Sequence, residues 1–222
     1  MSGTLPLTIG NFQSMSYLVL SGNKIGGTIP STIGALTSLT VLQIPFNSLN
    51  GAIPSSMGAL TSLTTLYLDF NALTGTIPSG ISVLKSLSHL GISHNYFNGI
   101  IPSSIGAMTN LVEINFSYNF FNGTIPSTMS ALTSLEYVDF GNNYLTMGTA
   151  STVPTSTFSS FTLSKNISLS NNCLAFDTVS PYRHVTATHC RPTSKYQLTV
   201  ASCNSISYMM IIPIPFSICR HE

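Results

Sequence analysis

Charged side chains are scarce in this sequence of 222 residues. It has 7 Lys and Arg and 6 Asp and Glu, so charged residues make up 6% of the chain and the net charge is +1. Soluble domains usually contain about 25% charged residues. A near-neutral chain offers no basic surface for nucleic acid, and its hydrophobic share of 43% is too high for a disordered protein. The solvated surface must therefore consist mainly of hydroxyl and amide groups.

Targeting and membrane signals are lacking as well. Residues 1–12 contain neither the basic segment nor the apolar run of a signal peptide. No stretch approaches the roughly 20 apolar residues that cross a bilayer, and the nearest one, residues 206–219, contains Pro213 and Pro215. We predict no transmembrane segment in this chain, although the full-length protein can still be membrane-anchored.

A period of 24 residues dominates the chain. It places asparagines at Asn23, Asn47, Asn71, Asn95, Asn119 and Asn143. From Leu39 onward, Leu-x-x-(Leu, Ile or Val)-x-(Leu, Ile or Phe)-x-x-Asn recurs in five successive repeats, and in the first four of them (Leu or Phe)-x-Gly-x-Ile-Pro follows the Asn. Alternating apolar residues suit a short strand with one buried face. Since one such unit cannot bury its apolar side alone, we expect successive units to stack around a shared core.

These motifs resemble the leucine-rich repeat proteins of the 24-residue type, found in plant receptor ectodomains, plant polygalacturonase-inhibitor proteins and some protozoan surface antigens. The resemblance implies an α/β-type repeat solenoid, a horseshoe with a concave parallel β-sheet and a convex side of extended and 3₁₀ pieces. The periodic Asn should bond backbone groups left unpaired where the strand turns away. Proline after isoleucine should prevent a helix from continuing through that segment.

The repeats divide the chain into three regions. Residues 1–147 are predicted to form the repeats, the first of them truncated, because residues 3–6 already match Gly-x-Ile-Pro. We expect a fragment, since the polar cap that normally begins a solenoid is missing. Residues 148–174 form an irregular seventh repeat with a Ser/Thr-rich insertion. Residues 175–222 form a cysteine-containing flank with a poorly patterned apolar tail.

All cysteines follow the repeats, at Cys173, Cys190, Cys203 and Cys219. Four cysteines allow three pairings, of which we favour Cys173–Cys190 as a clasp on the last coil. Extracellular leucine-rich repeat proteins often carry cysteine flanks, so the resemblance implies an extracellular or cell-surface location. The segment from Asn172 to Cys190 also resembles the flank of flagellate surface antigens.

A zinc site is the alternative for these cysteines. His184, His189 and Cys190 lie close in sequence, with Cys173 upstream. Their spacing fits no familiar zinc site, because there is no pair of cysteines two to four residues apart. We therefore predict no metal and no cofactor.

Three Asn-x-Ser/Thr sequons begin at Asn115, Asn122 and Asn166. They become glycosylation sites only in a secreted chain. Chance occurrence in a sequence this rich in Asn, Ser and Thr explains them equally well.

The positions between the buried strand residues should point to the concave side and form ladders from coil to coil. Acidic and aromatic residues concentrate there, and aromatic anchors are typical of binding hot spots. One interpretation is a site for a protein or peptide partner with some positive charge, and the other is that the aromatic residues pack on each other. The predicted ligand-contacting residues are Phe46, Tyr67, Asp69, Phe70, His89, His94, Glu113, Tyr118, Glu136, Tyr137 and Asp139.

The function expected from this surface is recognition without catalysis. Ser88, His89, Ser93, His94 and Glu113 fall on neighbouring coils, but an open sheet offers neither a shielded cleft nor an oxyanion hole. No nucleophile-elbow or P-loop motif occurs. Two alternatives stay open: a surface-coat antigen that self-associates, and an inhibitor of a polysaccharide-degrading enzyme.

Overall fold

The computed structural model describes residues 1–146, 166–172, 197–200 and 209–212. All four cysteines, the Ser/Thr-rich insertion and most of the C-terminal flank lie outside these residues. The strands, in chain order, are β1 (Ser2–Thr4), β2 (Tyr17–Val19), β3 (Lys24–Thr28), β4 (Val41–Gln43), β5 (Ser48–Gly51), β6 (Thr65–Tyr67), β7 (Ala72–Gly75), β8 (His89–Gly91), β9 (Tyr96–Ile100), β10 (Glu113–Asn115), β11 (Phe120–Thr124), β12 (Tyr137–Asp139), β13 (Tyr144–Thr146), β14 (Asn166–Ser168), β15 (Gln197–Val200) and β16 (Met209–Ile212).

Two parallel sheets run along the repeats. The first, which we call the main sheet, contains β2, β4, β6, β8, β10, β12 and β14 in that order, and it is the sheet predicted from the Leu-x-x-Leu pattern. The second sheet contains the odd-numbered strands from β1 to β13. In the main sheet equivalent residues pair in register, so Thr65 lies beside His89 and His89 beside Glu113. Each repeat of 24 residues therefore adds one strand to the main sheet, as predicted.

Short 3₁₀ helices close each coil. They span Leu7–Asn11, Ser31–Ala35, Ser55–Ala59, Ser79–Val83, Ser103–Ala107 and Ser127–Ala131. Each follows the proline of the Ile-Pro motif, which has extended geometry, as at Pro78 with φ −66° and ψ 135°. Proline fixes φ near this value and lacks an N–H, so it can begin a short helix but cannot lie inside a longer one. The predicted 3₁₀ character of this side is confirmed.

A continuous apolar core runs between the sheets and the 3₁₀ helices. The middle residue of each main-sheet strand is buried, as at Leu66 in β6. In the later coils phenylalanine replaces the aliphatic residues at several positions, and the rings of Phe97 and Phe121 stack with centroids 6.2 Å apart. The core is therefore a single spine shared by all coils.

The periodic asparagines hold successive coils together. The amide nitrogen of Asn95 donates to the carbonyl of Leu68 in the preceding coil at 3.0 Å, and its Oδ1 accepts from the N–H of Leu73 at 2.9 Å. Asn47, Asn71, Asn119 and Asn143 repeat both bonds with their own neighbours. The role predicted for the asparagines is confirmed.

The described residues after the repeats form two further pieces. β14 pairs with β12. The side-chain amide of Asn172 makes the same hydrogen bonds as the periodic asparagines: it donates to the carbonyl of Phe140 at 2.8 Å and accepts from the N–H of Leu145 at 3.1 Å. β15 and β16 pair as an antiparallel hairpin in the tail to which the sequence assigned no structure. Among the described residues, none of the helices has the length and apolar character needed to cross a bilayer.

Candidate functional site

Three carboxylates lie on the outward face of the main sheet, in line with the prediction for this surface. Asp69 follows β6, Glu113 begins β10 and Asp139 ends β12, and all three are half-buried. Within residues 1–146 both lysines lie elsewhere: Lys24 is in β3, and the Nζ of Lys85 donates to the carbonyl of Ala107 at 2.8 Å. The described part of this face is therefore acidic.

Tyr67 links distant coils across this face. Its hydroxyl donates to Oε2 of Glu113 at 2.9 Å, two coils further along. The intervening strand has Gly91 at the equivalent position, and a Cβ there would lie 2.5 Å from Oδ2 of Asp69 and 2.6 Å from Cδ1 of Tyr67. Gly91 thus makes room for both the carboxylate and the ring. Burial raises the pKa of Tyr67, and the hydrogen bond and charge of Glu113 raise it further, so the phenol stays protonated and keeps donating to the carboxylate.

The other two carboxylates are also held by neighbouring groups. Oδ1 of Asp69 accepts from both the N–H and the hydroxyl of Ser93 at 2.8 Å. Burial raises the pKa of Asp69, while the bonds from Ser93 lower it. Oδ1 of Asp139 accepts from the N–H of Gly141 at 2.8 Å, and burial raises the pKa of the nearby Tyr137. Oδ2 of Asp139 also accepts from the hydroxyl of Tyr137 at 3.5 Å.

Four rings form a continuous column beside the carboxylates, which we call the aromatic column. Its members are Phe46, Phe70, His94 and Tyr118, with successive centroids 4.3, 4.0 and 4.0 Å apart and planes within 13°. The sequence placed these residues among the strand positions, but each lies in the turn after its strand. The column confirms that they stack on each other, and the exposure of Phe46, Phe70 and Tyr118 leaves the column edge open to a partner as well.

The backbone of the aromatic column is unusual. All four members have positive φ, between 51° and 56°. Residues other than Gly, Asn, Asp and His seldom adopt this backbone conformation. Burial lowers the pKa of His94, while Asp69 and Asp139 act against that shift. A neutral imidazole between two rings is consistent with the tight stacking.

A second aromatic row was missed from the sequence. Tyr96, Phe120 and Tyr144 begin β9, β11 and β13, with successive ring centroids 6.0 Å apart. Their 24-residue spacing was visible, but the prediction considered only the main-sheet positions. An open groove of about 520 Å³ runs between this row and the His94–Tyr118 end of the aromatic column.

The remaining predicted residues are less closely connected. His89 approaches the ring of Tyr67 edge-on at 6.4 Å. Glu136 is exposed one residue before β12, outside the strand. Asn115 accepts from the hydroxyl of Ser117 within its own sequon at 2.7 Å, whereas Asn122 is exposed in β11 of the second sheet.

Ser88 and His89 contact each other, with Oγ and Nδ1 2.8 Å apart. The Ser88 hydroxyl also lies 3.0 Å from the carbonyl of Thr64. Its single proton can go to either acceptor, and the tautomer of His89 decides which.

Solved structures similar to this chain include plant proteins. The ectodomain of the Arabidopsis thaliana receptor kinase GASSHO1/SCHENGEN3, in complex with CASPARIAN STRIP INTEGRITY FACTOR 2, is 36% identical with a TM-score of 0.72, over 78% of this chain and 20% of that one. The Arabidopsis receptor kinase HAESA, in complex with the peptide hormone IDA and the co-receptor SERK1, is 36% identical with a TM-score of 0.64, over 65% and 24%. A plant ice-binding protein is 32% identical with a TM-score of 0.62, over 65% and 47%.

The chain thus spans about a quarter or less of the two receptor chains. Comparison with curated protein sequences gives no match. The sequence profile described as "Leucine rich repeat" matches residues 13–73 and 85–145, which together exceed half of the chain. With the stacked coils and the asparagine ladder seen above, this match shows that the chain belongs to the leucine-rich repeat family.

Proposed function

We propose that this chain is a non-catalytic, extracellular recognition module that binds a peptide with positive charge along the main sheet. The three half-buried carboxylates Asp69, Glu113 and Asp139 carry the proposal. They lie on one face, and the two lysines of residues 1–146 lie off it. A fold does not determine a function, so the argument rests on this surface.

The carboxylates are spaced suitably for an extended chain. Asp69 and Asp139 are three coils apart, and strands about 4.8 Å apart make this roughly 14 Å, the length of about four extended residues. Bonds from Tyr67 and Ser93 orient two of the acids before any ligand arrives. Orienting the groups in advance lowers the entropic cost of binding, and a face of one sign attracts an oppositely charged partner.

The solved relatives support the class of ligand and the location. HAESA is described with a peptide hormone, and the GASSHO1/SCHENGEN3 structure is of an ectodomain. The self-associating coat and the inhibitor of a polysaccharide-degrading enzyme become competing outcomes of the test.

The test is selection from a random peptide display library on the purified chain. We expect the selected peptides to be enriched in Lys and Arg. They should bind Glu113→Gln about tenfold or more weakly than the wild-type chain, since a hydrogen bond to a charged group contributes about 1.5–3 kcal/mol. Glu136→Gln is the matched control, because it removes the same charge from an exposed site outside the strand.

Three results would contradict the proposal. The first is the absence of any selected peptide together with concentration-dependent assembly of the chain, which would favour the coat. The second is inhibition of a polysaccharide-degrading enzyme that survives Glu113→Gln. The third is inhibition of ice recrystallisation without peptide binding, which would favour the activity for which the plant ice-binding protein is named.

A further inference from the structure

The aromatic column stops at Gly22, although the backbone that carries it continues. The N–H of Gly22 donates to the backbone carbonyl of Pro45 at 3.0 Å. In the next coil the N–H of Phe46 donates in the same way to the backbone carbonyl of Asp69 at 3.0 Å. Gly22 has φ +66°, close to the value of 56° at Phe46. This coil therefore has the same turn as its neighbours and lacks only the ring.

The space that such a ring would occupy is open. A Cβ built on Gly22 would have no heavy atom within 4 Å. Phe46 is 57% exposed, compared with 39% for Phe70, which has a ring on both faces. One face of the Phe46 ring is therefore uncovered, beside a position that the repeat leaves empty.

We propose that an aromatic side chain of the bound peptide stacks on Phe46 above Gly22 and extends the aromatic column by one ring. The inference rests on the proposed function, because it names one residue that the recognised peptide contains. The column shows the geometry that the position supports, with planes within 13° and centroids 4.0–4.3 Å apart. A flat ring can repeat this face-to-face stacking on Phe46, whereas a branched aliphatic side chain has no planar face with which to do so.

The charge around the empty position also favours an aromatic ring over a guanidinium group. The outward positions of the first two coils are neutral, with Tyr17 and Val19 in β2 and Val41 and Gln43 in β4. An arginine stacked on Phe46 would have no carboxylate in either coil to pair with. The acids begin one coil further on, at Asp69.

This arrangement predicts a pattern in the ligand. The empty position belongs to the first coil, and the carboxylates lie two to five coils away. At about 4.8 Å per coil and about 3.4 Å per extended residue, this places basic residues roughly three to seven positions from the aromatic residue. The peptides selected on the wild-type chain should show this combination.

The direct test fills the position from the protein side. Gly22→Phe should extend the column itself and weaken the selected peptides by about tenfold, the loss expected when a stacked aromatic contact is blocked. Gly22→Ala is the matched control, because it removes the glycine and leaves the space open. Phe46→Leu should weaken peptide binding to a similar extent because it removes the flat surface, whereas Phe46→Tyr should retain binding. These two variants replace Gly22→Phe as the test if Gly22→Phe does not fold.

A small probe tests the position independently of any peptide. The chain contains no tryptophan, so the fluorescence anisotropy of N-acetyltryptophanamide reports its binding without background. We expect the probe to bind weakly to the wild-type chain and to Gly22→Ala, and not to bind to Gly22→Phe. An excess of N-acetylargininamide should not displace it.

The outcomes separate this inference from the proposed function. Peptides that depend on Glu113 but lack an aromatic residue, or that ignore Gly22→Phe, would overturn the aromatic position and leave peptide recognition standing. If no peptide bound but the probe still bound in a way that Gly22→Phe abolished, peptide recognition would be overturned and the aromatic position would stand. Absence of probe binding to the wild-type chain, equal binding to Gly22→Phe, or preference for the arginine probe would also overturn the aromatic position.

Discussion

Replacing one periodic asparagine should cost far more stability than its size suggests. Asn95 is buried, and its Oδ1 accepts from the N–H of Leu73 at 2.9 Å. Its two amide protons serve three carbonyls, of which the Leu68 carbonyl at 3.0 Å belongs to the preceding coil. Asn95→Ala leaves the Leu73 N–H without this partner, whereas the Leu68 carbonyl keeps a bond from the amide of Asn71 at 3.1 Å. One unsatisfied buried group costs about 1–3 kcal/mol and the lost bond to Leu68 about 0.5–1.5 kcal/mol, so the expected loss is about 1.5–4.5 kcal/mol.

The measurement is urea unfolding followed by circular dichroism, compared at equal m-values. Asn98→Ala is the control, because Asn98 is exposed in β9 only three residues away. Exposed substitutions of this kind usually stay within about 0.5 kcal/mol. If Asn95→Ala lost less than about 1 kcal/mol, or no more than the control, the asparagine ladder would not be holding the coils together and the account of the fold would be wrong.

Three further perturbations test the core, the main-sheet face and the aromatic column. Because burial lowers the pKa of His94, the unfolded state binds the His94 proton more readily than the folded state does. The free energy of unfolding should therefore fall as the pH drops through about 6.5. His94→Phe should reduce this dependence of the unfolding free energy on pH, measured by urea unfolding at several pH values. Gly91→Ala should displace both the Asp69 carboxylate and the Tyr67 ring. The most weakly acidic tyrosine should then disappear from an ultraviolet titration, as it should in Tyr67→Phe. Ile105→Ala should cost about 2–5 kcal/mol in urea unfolding because that residue is fully buried, whereas Ile100→Ala, at an exposed site, should stay within about 0.5 kcal/mol.

Most of the fold could be predicted because its causes are local and repeated. Proline fixes the entry into each 3₁₀ helix within one residue of where the sequence shows it. The asparagine amide finds the same backbone groups in every interior coil, so one argument about unpaired groups holds throughout. A strict period also sets the register, since each strand pairs with the strand one repeat away.

The candidate site was only partly predictable, because its geometry depends on side chains from different coils. The acids and aromatic residues could be placed on one face, but the bond from Tyr67 to Glu113 skips a coil and requires the glycine between them. The left-handed turn of Phe46 and Phe70 could not be read from residues that rarely adopt it. Gly22 lies 24 residues before Phe46 and so falls on the same ladder in the sequence, but its open position depends on the stacking of the neighbouring rings, which the sequence does not show.

The outward positions of this solenoid are coupled to one another even though the core does not need them. Ser93 holds Asp69 from one coil away, and Gly91 leaves space for Tyr67 in the same pair of coils. A substitution at one position therefore changes the orientation of a neighbour that the ligand would contact. Double-mutant cycles between adjacent coils should show coupling on this face, where contacting residues interact by about 0.5–3 kcal/mol. A surface that served only to keep the repeats solvated would have no reason to fix its carboxylates in this way.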